Sequence, residues 1–375
     1  MNFLHPVFSV LFVFLILYSF IEVYGDGRNK KSFVLWAVGS YMAVIIGLRN
    51  YVGADYPIYM EMYGRYFPTI DYSELINKML FRKTEYDIEW FYVFLNKIVH
   101  ETGSQFYIFT LVSACITIGA RLAVYYKNSA FPVFSILLFF IPAYFIADSG
   151  HMRQALGMVV CFISFKFIKE RRVWWYLLCI YLAFGFHKSS IIFLPAYWLV
   201  LVPLNSTRIF YAIMACVILS PFRVYNLFSS FLDTLSVQDV SNGFNGYVNY
   251  EAKTSSFMDG LMLLYSFVLI TYDKAACKKI YYYEYMRNLL VIGVCLYFIM
   301  RDNPIFSTRL VGGYVSFAPL VIPNIVAAVE NQNTKRMLHL FFVGFMIFYY
   351  FVFVQYQGVA GRFTPGTYHN VLWPF

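Results

Sequence analysis

Long apolar runs follow one another along nearly the whole chain. A helix needs about 20 mostly apolar residues to cross a bilayer, with about 17 as a lower limit. Only 13% of the 375 residues are charged, whereas a soluble domain averages about 25%. The sequence therefore predicts an all-α, polytopic membrane protein.

Twelve apolar runs are candidate membrane spans, several of them short: 3–24, 32–48, 104–126, 131–147, 152–168, 173–186, 190–204, 208–222, 257–272, 286–300, 309–328 and 337–356. The first run is too long for the apolar core of a signal peptide and lacks a basic segment before it, so we interpret it as a retained span. Little sequence remains between the runs. We therefore expect one transmembrane domain over residues 1–375.

Four short loops are basic or net basic, and the twelve-span arrangement places them all on one side: 25–31, 169–172, 273–279 and 330–336. Loops rich in Lys and Arg stay in the cytoplasm, so both chain termini are predicted to lie outside. The net charge of +9 is then a signal of topology. No nucleic-acid partner is expected, and the lipid bilayer is the expected surrounding.

Two longer segments fall on the outer side, at 49–103 and 223–256. Long connections are often functional. Within the first, the stretch 88–100 is apolar but short and carries Glu89, and we predict an interfacial or half-membrane helix there.

Five basic residues lie at the ends of apolar runs and share the outer face: Arg49, Arg153, His187, Arg301 and Arg309. A charged side chain near a bilayer is costly, so each needs a partner or a ligand. Guanidinium groups suit bidentate contacts with phosphate. Several arginines on one face predict a site for a doubly anionic group, such as a lipid-linked diphosphate.

Arg153 is predicted in the first turn of a span that runs inward. A cation there opposes the helix dipole, while the free N–H groups of a helix N-terminus bind anions. A bound phosphate would account for Arg153, and so would an ion pair with Asp148 or Glu89. Arg309 is likewise predicted to begin an inward-running span.

Arg49 and His187 each have two interpretations. Arg49 ends the second span. Either it only pairs with Asp55 at the membrane surface, or Asp55 orients it so that Arg49 binds an anion. His187 lies in a polar break between two spans, as a candidate general base or as a hydrogen-bonded turn residue. Glu89 is the second candidate base.

Several common motifs are missing from the sequence. It has no Walker loop, no HExxH, no GxSxG and no DxD pair, and its six cysteines form no CxxC. Neither a nucleotide nor a metal cofactor is expected.

Five segments in order resemble the EpsG-like branch of the Wzy-type polysaccharide polymerases: GLRNYVGADY (47–56), IEWFYVFLNK (88–97), SGHMRQALG (149–157), FHKSS (186–190) and STRL (307–310). The resemblance covers about residues 40–325. The family often has Glu-Pro-Gly where this chain has Ile88, Glu89 and Trp90.

The resemblance implies an integral-membrane glycosyltransferase of the GT-C type in the bacterial inner membrane, with an extracytoplasmic active site. Such enzymes join oligosaccharide repeat units carried on undecaprenyl diphosphate, which serve as both donor and acceptor, without a metal. Arg49, Arg153 and Arg309, with Arg301, would bind the diphosphate, and Asp55 would orient Arg49. His187, or else Glu89, would accept the hydroxyl proton, and a single displacement would invert the anomeric centre. A chain-length regulator is a possible partner.

Other functions are compatible with the same apolar runs. A ligase would use the same donor but transfer finished glycan to another acceptor. A transporter or flippase would be expected to carry polar, broken helices at the midplane and repeat symmetry. A membrane acyltransferase would usually place its key histidine near the cytoplasmic side.

Overall fold

The computed structural model of the protein describes residues 3–25, 32–53, 55–81, 88–148, 151–225, 256–355 and 359–372. Within these ranges all the regular elements are helices, and the strand-like pairing is an isolated bridge between Arg49 and Asn370. The predicted all-α class is confirmed. Most of the predicted loops 25–31 and 223–256 lie outside the described residues.

The α-helices of the described ranges are numbered here in chain order: α1 Pro6–Tyr24, α2 Ser32–Gly47, α3 Tyr56–Glu61, α4 Tyr72–Phe81, α5 Trp90–Glu101, α6 Phe106–Asn128, α7 Pro132–Phe139, α8 Met152–Lys169, α9 Val173–Phe186, α10 Ala196–Leu199, α11 Ser206–Leu219, α12 Ser256–Lys279, α13 Tyr283–Ile299, α14 Pro304–Arg309, α15 Gly312–Val315, α16 Ala318–Ala328 and α17 Gln332–Gln355. Helices α3, α4 and α5 occupy the predicted outer segment 49–103. The helix expected at 88–100 is present as α5.

Among the residues that the structure describes, four helices are long and apolar enough to cross a membrane: α1, α6, α12 and α17. A fifth span is possible if the run from α14 to α16 counts as one, although it bends by 44°. Shorter apolar helices or segments lie at Ser32–Gly47, Pro132–Ile146, Val173–Phe186 and Ser206–Phe222.

Two of the predicted spans, 190–204 and 131–147, are not single helices, and a proline lies at or beside each break. The prediction of one span over 190–204 was wrong, because a 3₁₀ segment at Lys188–Phe193 leads through Pro195 into the four-residue α10. The predicted span 131–147 breaks at Ile141, which has φ −125° and ψ 125°. A residue before proline is disfavoured in the α conformation, and Pro142 follows Ile141.

Arg309 does not begin a span, which corrects the prediction made for it. It is the last residue of α14, which begins at Pro304. Proline suits the first position of a helix, where its missing N–H costs no hydrogen bond. The Asn303 side chain then caps α14 by accepting hydrogen bonds from the amides of Ile305 and Phe306, both at 3.1 Å.

The chain divides into two compact units, each described here by itself. The first unit comprises Met1–Ile163, Tyr181–His187 and Asn331–Phe375, and the second comprises Ser164–Ile180 and Lys188–Glu330. The expectation of one transmembrane domain stays a prediction.

In the first unit, α2 packs closely along α6 because glycine removes side-chain bulk between them. A Cβ atom added to Gly47 would lie 2.7 Å from the Cα atom of Leu111. Elsewhere in this unit, both Glu22 carboxylate oxygens accept hydrogen bonds from the first amides of α7, at Val133 and Phe134. The close packing of α2 fixes the position of the turn that carries Arg49.

In the second unit, a buried ion pair joins α12 to α13. Nη1 of Arg287 donates to Oδ2 of Asp273 at 2.8 Å, and both side chains are almost fully buried. The neighbouring Asn288 donates to the carbonyls of Val200 and Val202 at 2.8 and 2.9 Å. These bonds satisfy carbonyls just after α10, where the predicted span 190–204 fails.

Candidate functional site

Arg153 lies in the first turn of α8, as the sequence predicted. Its Nη1 donates to Oε2 of Glu89 at 2.8 Å, and its Nε donates to the Tyr59 hydroxyl at 2.9 Å. The Glu89 side chain is only 7% exposed, while that of Arg153 keeps 28%. The carboxylate offsets the cost of a cation at a helix N-terminus, so of the two explanations offered for Arg153 the ion pair is observed.

Glu89 is positioned by the aromatic start of α5. It directly precedes Trp90, the first residue of that helix. A Cβ atom added to Gly185 near the end of α9 would lie 2.7 Å from the Trp90 ring, so only glycine admits this approach. The rings of Phe91 and Phe186 lie 4.4 Å apart between centroids.

His187 follows Phe186 directly at the end of α9. Its backbone N–H donates to the carbonyl of Ala183 at 3.0 Å, and its side chain is half-buried. The structure thus places the predicted base next to the aromatic contact that anchors α5.

Tyr59 links Arg153 to a buried aromatic cluster. Its ring lies 5.6 Å from that of Tyr92 between centroids, and the cluster also includes Tyr63, Phe67 and Phe109. Burial raises the pKa of Tyr59, and the positive charge of Arg153 partly offsets this shift. The phenol therefore stays neutral at physiological pH, where its oxygen accepts the hydrogen bond from Arg153.

Arg49 is 1% exposed and closes a turn. Its Nε donates to the carbonyl of Val52 at 3.0 Å, and its Nη1 donates to the carbonyl of Ile46 at 2.6 Å. Its guanidinium carbon lies 5.8 Å from the centre of the Tyr56 ring. The predicted diphosphate contact of Arg49 stays a prediction.

A C-terminal segment packs on this turn. The amide of Asn50 donates to the carbonyl of His369, and the amide of Val371 donates to the carbonyl of Leu48, both at 2.9 Å. The side chain of Asn370 donates to the carbonyl of Ile45 at 3.2 Å. Residues 369–371 therefore hold the backbone on both sides of Arg49.

Asp55 lies near a histidine that the sequence analysis did not select. Its Oδ2 is 3.8 Å from Nδ1 of His151. His151 precedes α8, and its carbonyl accepts the Ala155 amide at 2.8 Å. His151 belongs to one of the segments that carry the family resemblance, but its distance from Asp55 depends on tertiary packing. The predicted contact of Asp55 with Arg49 stays a prediction.

Arg301 and Arg309 belong to the second unit. Nη2 of Arg301 donates to Oδ2 of Asp259 at 2.7 Å, and the Tyr297 hydroxyl donates to the other oxygen at 2.8 Å. The Arg301 side chain keeps 46% of its surface exposed. Arg309 is half-buried at the end of α14.

The first unit brings together three of the predicted residues and two that were missed. Glu89 and Arg153 are bonded to each other, and Tyr59 completes the contacts of the guanidinium. Asp55 is joined by His151. The arrangement offers a partly exposed cation that can bind an anion, and an imidazole beside a carboxylate that can accept a proton.

One comparison with known proteins gave a match. A family model described as "EpsG family" matches residues 33–366. This range begins early in α2 and includes every predicted site residue. No curated protein and no solved structure matches the chain.

Proposed function

The chain belongs to the EpsG family, and from this premise we propose that it is a membrane glycosyltransferase that polymerises lipid-linked oligosaccharides. The donor would be a repeat unit on undecaprenyl diphosphate, and the acceptor would be a hydroxyl group on a second such unit. Undecaprenyl diphosphate leaves, and the glycan grows by one repeat unit.

The observation that supports this proposal most directly is the set of contacts around Arg153. Negative charge develops on the diphosphate as the glycosidic bond forms, and without a metal a fixed cation must stabilise it. Glu89 and Tyr59 hold Arg153 by two hydrogen bonds from different nitrogens of its guanidinium. An arginine positioned in advance needs little rearrangement when the charge appears.

The other arginines keep the diphosphate-binding roles that the sequence analysis gave them. Arg49 closes the turn before α3, and its role as a diphosphate ligand is proposed on the sequence argument. Arg301 and Arg309 are proposed as further ligands on the sequence argument alone.

The membrane arrangement is also a proposal. We propose about twelve crossings, a GT-C-like fold, both termini on the outer side and an extracytoplasmic active site in the inner membrane. The basic loops 169–172, 273–279 and 330–336 support this orientation. Displacement in one step would invert the anomeric centre and require no metal.

The proposal is tested with purified protein in lipid nanodiscs. The substrate is the pool of lipid-linked repeat units extracted from a producing strain that lacks this gene. We expect the wild type to form a ladder of longer glycans without nucleotide, metal or a second acceptor. Transfer only after addition of another acceptor would indicate a ligase, and no product in any mixture would contradict the proposal.

A substitution links the reaction to the site. Arg153→Gln keeps a hydrogen-bonding group but removes the charge, and we expect a loss of about 100-fold or more in kcat. Arg65→Gln is the matched control, because Arg65 lies in the same unit with 83% of its side chain exposed. Equal rates for the two variants would show that Arg153 has no role in the reaction.

A further inference from the structure

His151 and Asp55 are placed by the same two helices that carry the Arg153 contacts. The carbonyl of Asp55 accepts the amide of Tyr59 at 3.0 Å at the start of α3, as the carbonyl of His151 accepts that of Ala155 at the start of α8. Tyr59 and Arg153 are bonded to each other across these helices. An imidazole and a guanidinium therefore lie two residues apart at the start of one helix.

The histidine and the carboxylate are both accessible. The side chain of His151 is 37% exposed and that of Asp55 is 36% exposed, so neither is sealed in the core. The carboxylate lies on the Nδ1 side of the ring at 3.8 Å. A nearby carboxylate favours the tautomer with hydrogen on Nδ1, which leaves Nε2 free to accept a proton.

The Glu89 carboxylate, which the sequence analysis offered as the second candidate base, is poorly suited to accept a proton. Glu89 is buried, and its oxygen already accepts a charge-assisted hydrogen bond from Arg153. Protonation of Glu89 would leave the Arg153 cation without its counter-charge, which is costly in a mostly buried place.

We infer that His151 accepts the proton of the acceptor hydroxyl, and that Asp55 is a positioning residue for its ring. The inference rests on the proposed function and places the proton acceptor at a histidine other than the one predicted from sequence. Among the described residues, the carboxylate that faces the His151 ring is that of Asp55, at 3.8 Å from Nδ1. Arg153 lies two residues further along the chain, and Tyr59 and Glu89 are the groups that bond to Arg153.

The step balances as one displacement. The acceptor O–H bond breaks, its proton moves to Nε2 of His151, and the oxygen forms a bond to the anomeric carbon of the donor. The bond between that carbon and the diphosphate oxygen breaks, and the diphosphate leaves with the electron pair beside Arg153. The imidazolium then releases its proton to water.

The inference is tested by rate measurements on His151→Gln with the extracted lipid-linked repeat units. General-base catalysis contributes about 100-fold or more, so we expect kcat to fall by that factor with little change in KM. Only a neutral imidazole can accept the proton, so the wild-type kcat should be lower in acidic buffer, and the variant should lose this dependence on pH. Imidazole added to His151→Gly should restore part of the rate.

Two more variants make the result specific. Asp55→Asn keeps the size of the side chain but not its charge, and we expect a smaller fall in kcat with an altered pH profile. His100→Gln is the control, because His100 packs against Tyr63 at 5.2 Å in the same unit and has no proposed role in the reaction. We expect its rate and pH profile to match the wild type.

The possible failures can be told apart. If the wild type does not extend the repeat units, the proposed function and this inference are both wrong. If the wild type extends them and folded His151→Gln does so at the same rate and with the same pH profile, the inference alone is wrong. A loss in His187→Gln together with full activity in His151→Gln would place the proton acceptor at His187 instead.

Discussion

Removal of the Glu89 carboxylate should destabilise the first unit because it leaves the Arg153 cation in a mostly buried position. Glu89 is 7% exposed, and it accepts from Arg153 at 2.8 Å. Removing one partner of a buried ion pair costs about 3–5 kcal/mol. Since 28% of the Arg153 side chain reaches solvent, we expect Glu89→Ala to cost about 3 kcal/mol, the lower end of that range.

Glu89→Gln gives a graded comparison. The amide oxygen can still accept a hydrogen bond, so the loss is the difference between a charge-assisted bond of about 1.5–3 kcal/mol and a neutral bond of about 1 kcal/mol. We therefore expect Glu89→Gln to cost about 1 kcal/mol. For a chain of this size each kcal/mol lowers the melting temperature by roughly 2 °C, which predicts shifts of roughly 2 °C for Gln and 6 °C for Ala.

The assay is thermal unfolding of purified protein in detergent, followed by the loss of the monodisperse peak in size-exclusion chromatography. Glu61→Ala is the matched control, because Glu61 pairs with Arg65 at 3.3 Å with both side chains mostly exposed. Such surface pairs contribute little. If Glu89→Ala melts at the same temperature as Glu61→Ala, or above Glu89→Gln, then Arg153 does not depend on Glu89 and the reasoning fails.

Three further substitutions test the packing and the polar contacts within the two units. Gly47→Ala should lower the melting temperature, because overpacking against α6 costs about 1–3 kcal/mol. Gly119→Ala is the control, because the space around its added Cβ atom is open, and it should not lower the melting temperature. Equal shifts in the two variants would contradict the close packing of α2 on α6. Asn370→Ala removes a buried hydrogen bond worth about 1 kcal/mol, and hydrogen exchange should show lost protection in residues 45–50; unchanged protection would contradict the role of the C-terminal segment. Asp273→Asn should destabilise the second unit more than the double variant Asp273→Asn with Arg287→Met does, because the double variant leaves no unpaired buried cation. If the melting shifts of the single variants simply add up in the double variant, the two side chains do not stabilise each other.

The sequence predicted the helical class and many helix positions because apolar periodicity and proline placement act locally. The predicted span 173–186 coincides with α9, and the predicted helix at 88–100 is α5 within two residues. The span prediction from the sequence was wrong at 190–204 and at the start of 309–328, where the chain stays apolar although the helix is interrupted. Hydropathy measures the cost of exposure to water and carries little information about backbone breaks.

The site was predicted in part for a related reason. A cation in the first turn of a helix is a local conflict, so Arg153 and its possible partner Glu89 could be identified from the sequence. His151 gives no such local signal, because its relation to Asp55 arises only when α3 packs near the start of α8. The burial of Arg49 depends on the C-terminal segment, more than 300 residues away in sequence.

The ion pair of Arg153 with Glu89 is compatible with the binding of a diphosphate by the same arginine. Glu89 contacts Nη1 and Tyr59 contacts Nε, so these two bonds fix the plane of the guanidinium, whose five N–H donors exceed what two acceptors require. A carboxylate carries one negative charge, whereas a departing diphosphate carries more than one, so the attraction to Arg153 is greatest when the leaving group has separated. Stabilisation that grows along the reaction raises kcat, while equal binding of substrate and transition state would not. Under the proposed function, Arg153, held by Glu89 and Tyr59, would already be in position when the charge develops on the leaving group.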